Sequence, residues 1–274
     1  MRRQQESRTM ETEKKNTIAR QLTEARMFKK PLAQWSQSVV AMTRIEAYQI
    51  QELGITHRTT QSEIRVGYKM GLTSEGKRKQ MNLDSPLYGE LTHKMQLVNE
   101  SIFSISDLIH PKIEPEIAFK INTTLSGPIS LQEAVASISH VSASLEILDS
   151  RYSQFKYFSM EDVIADNSSS SHFVAGPWIP FSSVNQISDS RLEMYVDDIL
   201  AQAGDANEIS GDPILSLVQL CTLLSESNRK LESGSIVLAG AATAAVELKN
   251  NQKIELKIKS SKATLPSALL YIKG

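Results

Sequence analysis

Two glutamates stand one residue apart in an apolar stretch, Ile113-Glu114-Pro115-Glu116-Ile117-Ala118-Phe119. A third follows in Ala143-Ser144-Leu145-Glu146-Ile147-Leu148-Asp149. Side chains of an extended strand alternate faces, so Glu114 and Glu116 share one face while Ile113, Pro115 and Ile117 take the other, toward a core. Two acids on one face repel each other unless positive charge sits between them. Oxygen-only ligands suit a hard cation such as Mg²⁺ or Mn²⁺. The same spacing also describes an ordinary solvated strand face, and spacing by itself leaves both readings open.

Other residues are candidates of the same two-sided kind. Lys69 lies in Val66-Gly67-Tyr68-Lys69-Met70-Gly71-Leu72-Thr73, between apolar residues and two glycines. Glycine permits close backbone approach to a ligand, and a half-buried lysine can act as acid, base or carboxylate clamp. A strand lysine pointing to water fits the local sequence equally well. Asp84, in Leu83-Asp84-Ser85-Pro86, reads first as turn chemistry. Asp166-Asn167 and the four serines that follow read as a loop or as a hydrogen-bonding platform for a small polar ligand. In Gly240-Ala241-Ala242-Thr243-Ala244-Ala245 small residues leave room for a ligand, and backbone amides with the Thr243 hydroxyl suit a carboxylate. That segment lacks the frame and lysine of a phosphate loop. The histidines, His57, His93, His110, His140 and His172, show no metal-ligand spacing, and no Gly-x-Ser-x-Gly elbow is present.

The elements that must hold these groups follow from patterning. Ile18, Leu22, Ala25 and Met27 predict an amphipathic helix over 13–28. Thr43-Arg44-Ile45-Glu46 matches a capping box, and the helix it opens is expected to end near Gly54 or a few residues later. Further on, short apolar segments predict strands over 65–70, 114–120, 144–149, 173–175, 192–196, 235–239, 253–258 and 268–272. Asp197-Asp198 is the expected turn into a strand over 199–203. Asp212-Pro213 is the expected start of a helix to about 228, with Asp212 as N-cap, and 131–137 is a shorter helix. Many strands with few, irregularly spaced helices argue against a doubly wound sheet and for an α+β domain on a folded mixed or barrel-like sheet. The expected organisation is a flexible polar tail over 1–15, a helical subdomain over 16–62 and a β-rich catalytic domain over 63–274. Met10 is a candidate natural start.

The chain has 274 residues and a formal net charge of -1, from 30 Lys and Arg against 31 Asp and Glu. Charges of both signs are dispersed, which gives no basic footprint for nucleic acid. The single cysteine, Cys221, cannot form an internal disulfide and suggests a reducing, cytoplasmic setting; its apolar neighbours make it core filler. The longest apolar run, 236–246, is too short to span a bilayer, so no membrane role is expected.

Taken in order, the segments from Gly67 to Thr73, Leu83 to Gly89, Glu114-Pro115-Glu116, and Leu145 to Arg151 resemble the hydratase and decarboxylase branch of the fumarylacetoacetate hydrolase superfamily. The segments at 166–171, 211–213 and 234–245 continue the resemblance, which covers most of the chain from about residue 15. Details at 166–171 and 240–245 resemble the decarboxylases of that branch. One departure is the stretch 260–266, which lacks the glycine-containing turn usual before the last strand, so a changed loop is expected there.

The resemblance implies an α+β, β-roll or barrel-like core with an N-terminal helical part. It makes Glu114, Glu116 and Glu146 ligands of Mg²⁺ or Mn²⁺, makes Lys69 the catalytic residue with Asp84 as partner, and places Leu72, Asn167, Ser168 and Thr243 at the substrate. It further implies decarboxylation of a small 2-oxo dicarboxylate, 2-oxohex-3-enedioate, in the meta-cleavage degradation of aromatics, by a homo-oligomer in complex with the hydratase that follows it. Hydration of the 2-hydroxydienoate is the first alternative. A non-catalytic partner subunit is the second. C–C bond hydrolysis is a third, for which no base stands out.

Overall fold

The computed structural model describes residues 10–37, 42–74, 78, 85–155, 159–181, 187–260 and 264–274. Helix α1 (Thr12–Phe28) buries Ile18, Ala19, Leu22 and Ala25 on one stripe and ends at Lys29 in a left-handed conformation. Helix α2 (Arg44–Thr59) opens with the expected capping box. The Glu46 amide donates to the Thr43 hydroxyl at 3.3 Å, and the Thr43 amide donates to the Glu46 carboxylate at 2.9 Å. Gly54 does not end it; the helix continues to Thr59. Inside α2, the Gln51 side-chain Nε2 donates to the carbonyls of Tyr88 and Ile164, which fastens the helix to the body of the protein.

The strands are β1 (Arg65–Gly71), β2 (Leu87–Thr92), β3 (Gln96–Leu97), β4 (Ile102–Ser104), β5 (Lys112–Ile121), β6 (Leu125–Ser126), β7 (Ile138–Leu148) and β8 (Ser170–Ala175). They continue as β9 (Ile179–Pro180), β10 (Arg191–Val196), β11 (Ile199–Asp205), β12 (Lys230–Leu231), β13 (Ile236–Ala241), β14 (Val246–Glu247), β15 (Lys253–Lys259) and β16 (Thr264–Lys273). Among the described residues nine strands form one mixed sheet in the order β2-β1-β13-β5-β7-β8-β3, with β14 beside β5 and β9 beside β7. A second sheet runs β11-β10-β15-β16-β4. Its β10–β11 hairpin turns on Asp197 and Asp198, both with positive φ, as a two-residue type I′ turn requires. The architecture is α+β with a curled, half-barrel sheet.

Alternation along β5 sorts its residues between two environments. Ile113, Ile117 and Phe119 enter the large core shared with Leu256, Ala268 and Leu270 of the second sheet and with Ile18 and Ile50 of the helices. Ala118 points the other way, into a small cluster with Leu91, Met95, Phe173, Ile236 and Leu238. Glu114 and Glu116 stand on the same face of β5 as Ala118, nearer the start of the strand.

Some elements depart from the expected ones. Strand β2 was not foreseen: all six of its residues are buried, so Leu87-Tyr88-Gly89-Glu90-Leu91-Thr92 shows no polar alternation. Its buried Glu90 is held by Arg65 at 2.9 Å and Arg229 at 2.7 Å. Strand β7 starts at Ile138, six residues before the expected 144, and stops at Leu148. The helix expected from Asp212 begins as α-helix at Leu215. Asp212 still caps the preceding turn, accepting from the Ile214 amide at 2.8 Å. Residues 261–263 of the β15–β16 connection lie outside the described residues. Cys221 is buried, and burial pushes its thiol up to about 12, in keeping with core filler.

Close approach at one glycine fixes the β1–β13 register. Gly67 has φ +154, and a Cβ there would sit 1.8 Å from the Ile236 carbonyl oxygen. Backbone cannot yield to that extent without breaking the parallel pair that carries Lys69. Gly67→Ala is expected to cost at least about 3 kcal/mol, among the large single-site effects. Thermal unfolding of the purified variant checks this; a melting temperature within a degree of wild type would contradict it.

Candidate active site

Strands β5 and β7 run antiparallel with Glu114 directly opposite Glu146 and Glu116 opposite Ser144. Like charges facing each other across a ladder are unfavourable, so this register places two acids where a sheet would ordinarily avoid them. Each of the three glutamates offers a carboxylate oxygen, and these oxygens lie within 4.8 Å of one another. Glu116 and Glu146 are fully buried. The Gly240 amide donates to Glu116 at 2.8 Å, from a register break where β13 passes β5. Gly240 has φ +111, and a Cβ there would meet the Thr73 hydroxyl at 2.5 Å, so side-chain-free backbone is needed at this point. The Ser170 hydroxyl donates to Glu146 at 2.7 Å.

Lys69 enters from β1. Its Nζ lies 3.2 Å from the second Glu146 oxygen, and the residue is 3% exposed. Strands β13 and β5 intervene between β1 and β7, three strand steps or about 14 Å in a flat sheet. The contact therefore depends on the curl of the sheet. It also removes the reading of Lys69 as a strand lysine pointing to water.

The electrostatics match a cation site. Burial first, then the charges of Glu146 and Glu114, push the Glu116 carboxyl well above the usual carboxylate range, against the opposing pull of Lys69. One Glu116 oxygen, Oε1, is buried without a hydrogen-bond partner among the described residues. A buried acceptor left unpaired is costly. Three converging hard-oxygen donors, one of them unsatisfied, fit a Mg²⁺- or Mn²⁺-sized ion. Among the described residues this is the one such cluster, and no histidine joins it.

Above the glutamates opens a cavity of about 360 Å³, lined by Lys69, Glu114, Leu72, Ser168 and Thr243 among others. Apolar side chains such as Leu87, Leu148, Phe155 and Val163 form much of its wall. A small acid with an apolar carbon chain suits that lining.

No family model matches the chain. A 4-oxalocrotonate decarboxylase from a Pseudomonas species is 37% identical over 243 residues, covering 89% of this chain and 93% of the relative. The chain belongs to the 4-oxalocrotonate decarboxylase family. A solved 4-oxalocrotonate decarboxylase from Pseudomonas putida, complexed with magnesium and adipate, superposes with a TM-score of 0.90 at 28% identity, over 97% of this chain and 99% of that one. A 2-keto-4-pentenoate hydratase from Dechloromonas aromatica is more distant, at 28% identity over 77% of this chain and 81% of the relative. A fumarylpyruvate hydrolase from Pseudomonas aeruginosa, 16% identical with a TM-score of 0.60 over 77% and 90% of the two chains, shares the fold alone.

Within this decarboxylase-family fold the expected residues do not all meet. Glu114, Glu116, Glu146 and Lys69 converge, and Leu72, Ser168 and Thr243 reach the cavity. Asn167 does not line it. Its side chain accepts from the Glu90 amide at 2.7 Å and donates to the Glu90 carbonyl at 2.9 Å, mimicking a strand partner for β2. Asn167, Ser168 and Ser169 all have positive φ, and the buried Arg151–Asp166 ion pair braces the turn that holds them. Asp84 lies outside the described residues. Ser170 and the Gly240 amide lie in segments that the sequence marked as possible ligand platforms, yet they hold Glu146 and Glu116 instead; Lys112 was not singled out from sequence. Lys112 had a signal: it stands two residues before Glu114, on the same strand face.

Proposed function

We propose that this chain decarboxylates 2-oxohex-3-enedioate, 4-oxalocrotonate, to 2-hydroxypenta-2,4-dienoate and CO₂, with a divalent cation, Mg²⁺ or Mn²⁺, as cofactor. The observation that carries the reading is the convergence of three glutamates and a buried lysine at the base of a cavity. The 37% identity to a named decarboxylase favours decarboxylation over the hydratase chemistry of the more distant relatives. Adipate, bound in the solved relative, is a six-carbon diacid, the saturated counterpart in length of the proposed substrate.

Glu114, Glu116 and Glu146 would hold the cation, which supplies Lewis-acid polarisation of the 1-carboxylate and 2-keto oxygens. In the substrate the distal carboxylate hangs on a carbon conjugated, through the alkene, to that keto group. Breaking its C–C bond releases CO₂ and passes the electron pair along the chain to the 2-oxygen as a dienolate. The substrate is its own electron sink. Lys69, fixed beside Glu146, offers positive charge and a proton to the developing dienolate. In this reading Asp84 orients Lys69 and tunes its proton affinity. Apolar walls exclude water, which keeps the charge interactions strong and the dienolate unhydrated.

Supplying 2-hydroxypenta-2,4-dienoate with Mg²⁺ separates the two chemistries. A decarboxylase leaves the dienoate unhydrated, whereas formation of 4-hydroxy-2-oxopentanoate would assign the site to the hydratase reaction. The dienol product ketonises in water, so direct transfer to the next enzyme has a clear advantage, and we propose association with the pathway hydratase. Co-expression should give co-purification, with a light-scattering mass above either protein alone. Independent migration at micromolar concentration, with no change in activity on mixing, would count against it. We also propose that this chain forms a homo-oligomer, as the resemblance implies, and the light-scattering mass of the chain alone reads it.

A further inference from the structure

We infer that Lys112 is a carboxylate-recognition residue that selects dicarboxylate over monocarboxylate substrates. This inference rests on the proposed decarboxylase reading. Lys112, Glu114 and Glu116 occupy alternate positions of β5 and therefore one face of it. Burial deepens along that file. Lys112 and Glu114 are half-buried and line the cavity; Glu116 is fully buried beneath it. Leu148, opposite Lys112 in the ladder, also lines the cavity, as Glu146 stands opposite Glu114. The strand thus runs from the mouth of the site to its floor, with a cation at the mouth.

Spacing matches the ligand. Two residues of strand span about 6.7 Å, similar to the separation of the carboxyl carbons in an extended six-carbon diacid. With its 2-oxo acid end at the glutamates, such a molecule directs its second carboxylate toward Lys112. Charge agrees as well. With a divalent cation held there, the three glutamate charges would cancel against it and Lys69, leaving no surplus positive charge at the base of the cavity. Among the described residues Lys112 is the other lysine or arginine lining it, and no carboxylate lies within ion-pair distance of its ammonium. Its Nζ sits 4.3 Å from the ring centre of Phe155, which also lines the cavity. That stacking holds the ammonium at the wall while leaving it open to an anion. Because this carboxylate is the one lost as CO₂, the contact serves binding and length selection rather than the bond-breaking step.

The test compares adipate with hexanoate, diacid against monoacid of equal length, by calorimetry on the Mg²⁺-loaded chain. Wild type should bind adipate at least about ten-fold more tightly, the size of one charge-assisted contact. Lys112→Met should lose that preference with hexanoate affinity within about three-fold of wild type, and Lys112→Arg should keep it. Lys112→Gln gives the same reading should the methionine variant fail to fold. In turnover, KM for 2-oxohex-3-enedioate should rise in Lys112→Met far more than kcat falls. A wild type without preference for adipate, or a Lys112→Met chain that retains it, overturns the inference. Failure of wild type to turn over 2-oxohex-3-enedioate would instead strike the decarboxylase reading, since the binding comparison needs no catalysis.

Discussion

Glu116→Gln should lower Mg²⁺ affinity by at least about 100-fold and reduce turnover to background at ordinary metal concentrations. Loss of a residue that merely orients a ligand typically costs 10- to 100-fold, and Glu116 is assigned as a ligand itself. The glutamine can keep the hydrogen bond from the Gly240 amide, so the fold should survive. Metal-free stability should move in the opposite direction. Burial and the neighbouring glutamates raise the Glu116 carboxyl in the folded chain, while the unfolded chain titrates near the ordinary 4.5. Between those values the folded state binds the extra proton, so stability of the metal-free chain falls as pH rises. Saturating Mg²⁺ should remove most of that slope, and Glu116→Gln should remove Glu116's part of it. Calorimetric Mg²⁺ titration and thermal unfolding at pH 6 and pH 8 check both statements. Unchanged Mg²⁺ affinity in Glu116→Gln would contradict the ligand assignment.

Lys69→Ala should cut the decarboxylation rate by about 10²–10⁴, the usual worth of a lost electrostatic or acid–base contact in a dry site. Mg²⁺ affinity should hold or tighten, because a positive charge 3.2 Å from the Glu146 carboxylate disappears while the carboxylates stay. Lys69→Arg should not fully rescue turnover. A guanidinium keeps the charge but has a different shape and gives up a proton far less readily. A purely structural lysine makes the opposite forecast of weakened folding with near-normal turnover per folded molecule. Single-turnover rates and Mg²⁺ affinity measured on folded variants separate the two, and a rate within about threefold of wild type would reject the catalytic assignment.

What the sequence showed was local. The shared face of Glu114 and Glu116, the Thr43–Glu46 cap and the Asp197-Asp198 turn all depend on neighbours along the chain, and each was legible. That Glu114 would face Glu146 across β5 and β7 depends on register between distant segments, which no local pattern carries. Lys69 presented the same difficulty. Its flanking residues could not distinguish water from core, and the curl that brings it to Glu146 is a property of four strands together. Strand β2 escaped because burial on both faces erases alternation. Asn167 drew attention through its polar neighbours, yet its amide is spent on the backbone of Glu90. Lys112 was overlooked although the i, i+2, i+4 rule that paired the glutamates also includes it.

The central claim is that the distal carboxylate leaves as CO₂ under control of the glutamate site. The most direct measurement uses 2-oxohex-3-enedioate carrying ¹³C in that carboxylate, incubated with the chain and Mg²⁺ and followed by carbon NMR. The account predicts that the label appears in CO₂ and bicarbonate, one equivalent per substrate consumed, that EDTA stops its release, and that Mg²⁺ or Mn²⁺ restores it. Substrate consumption with the label retained in an organic product, or release undiminished by EDTA, would contradict it.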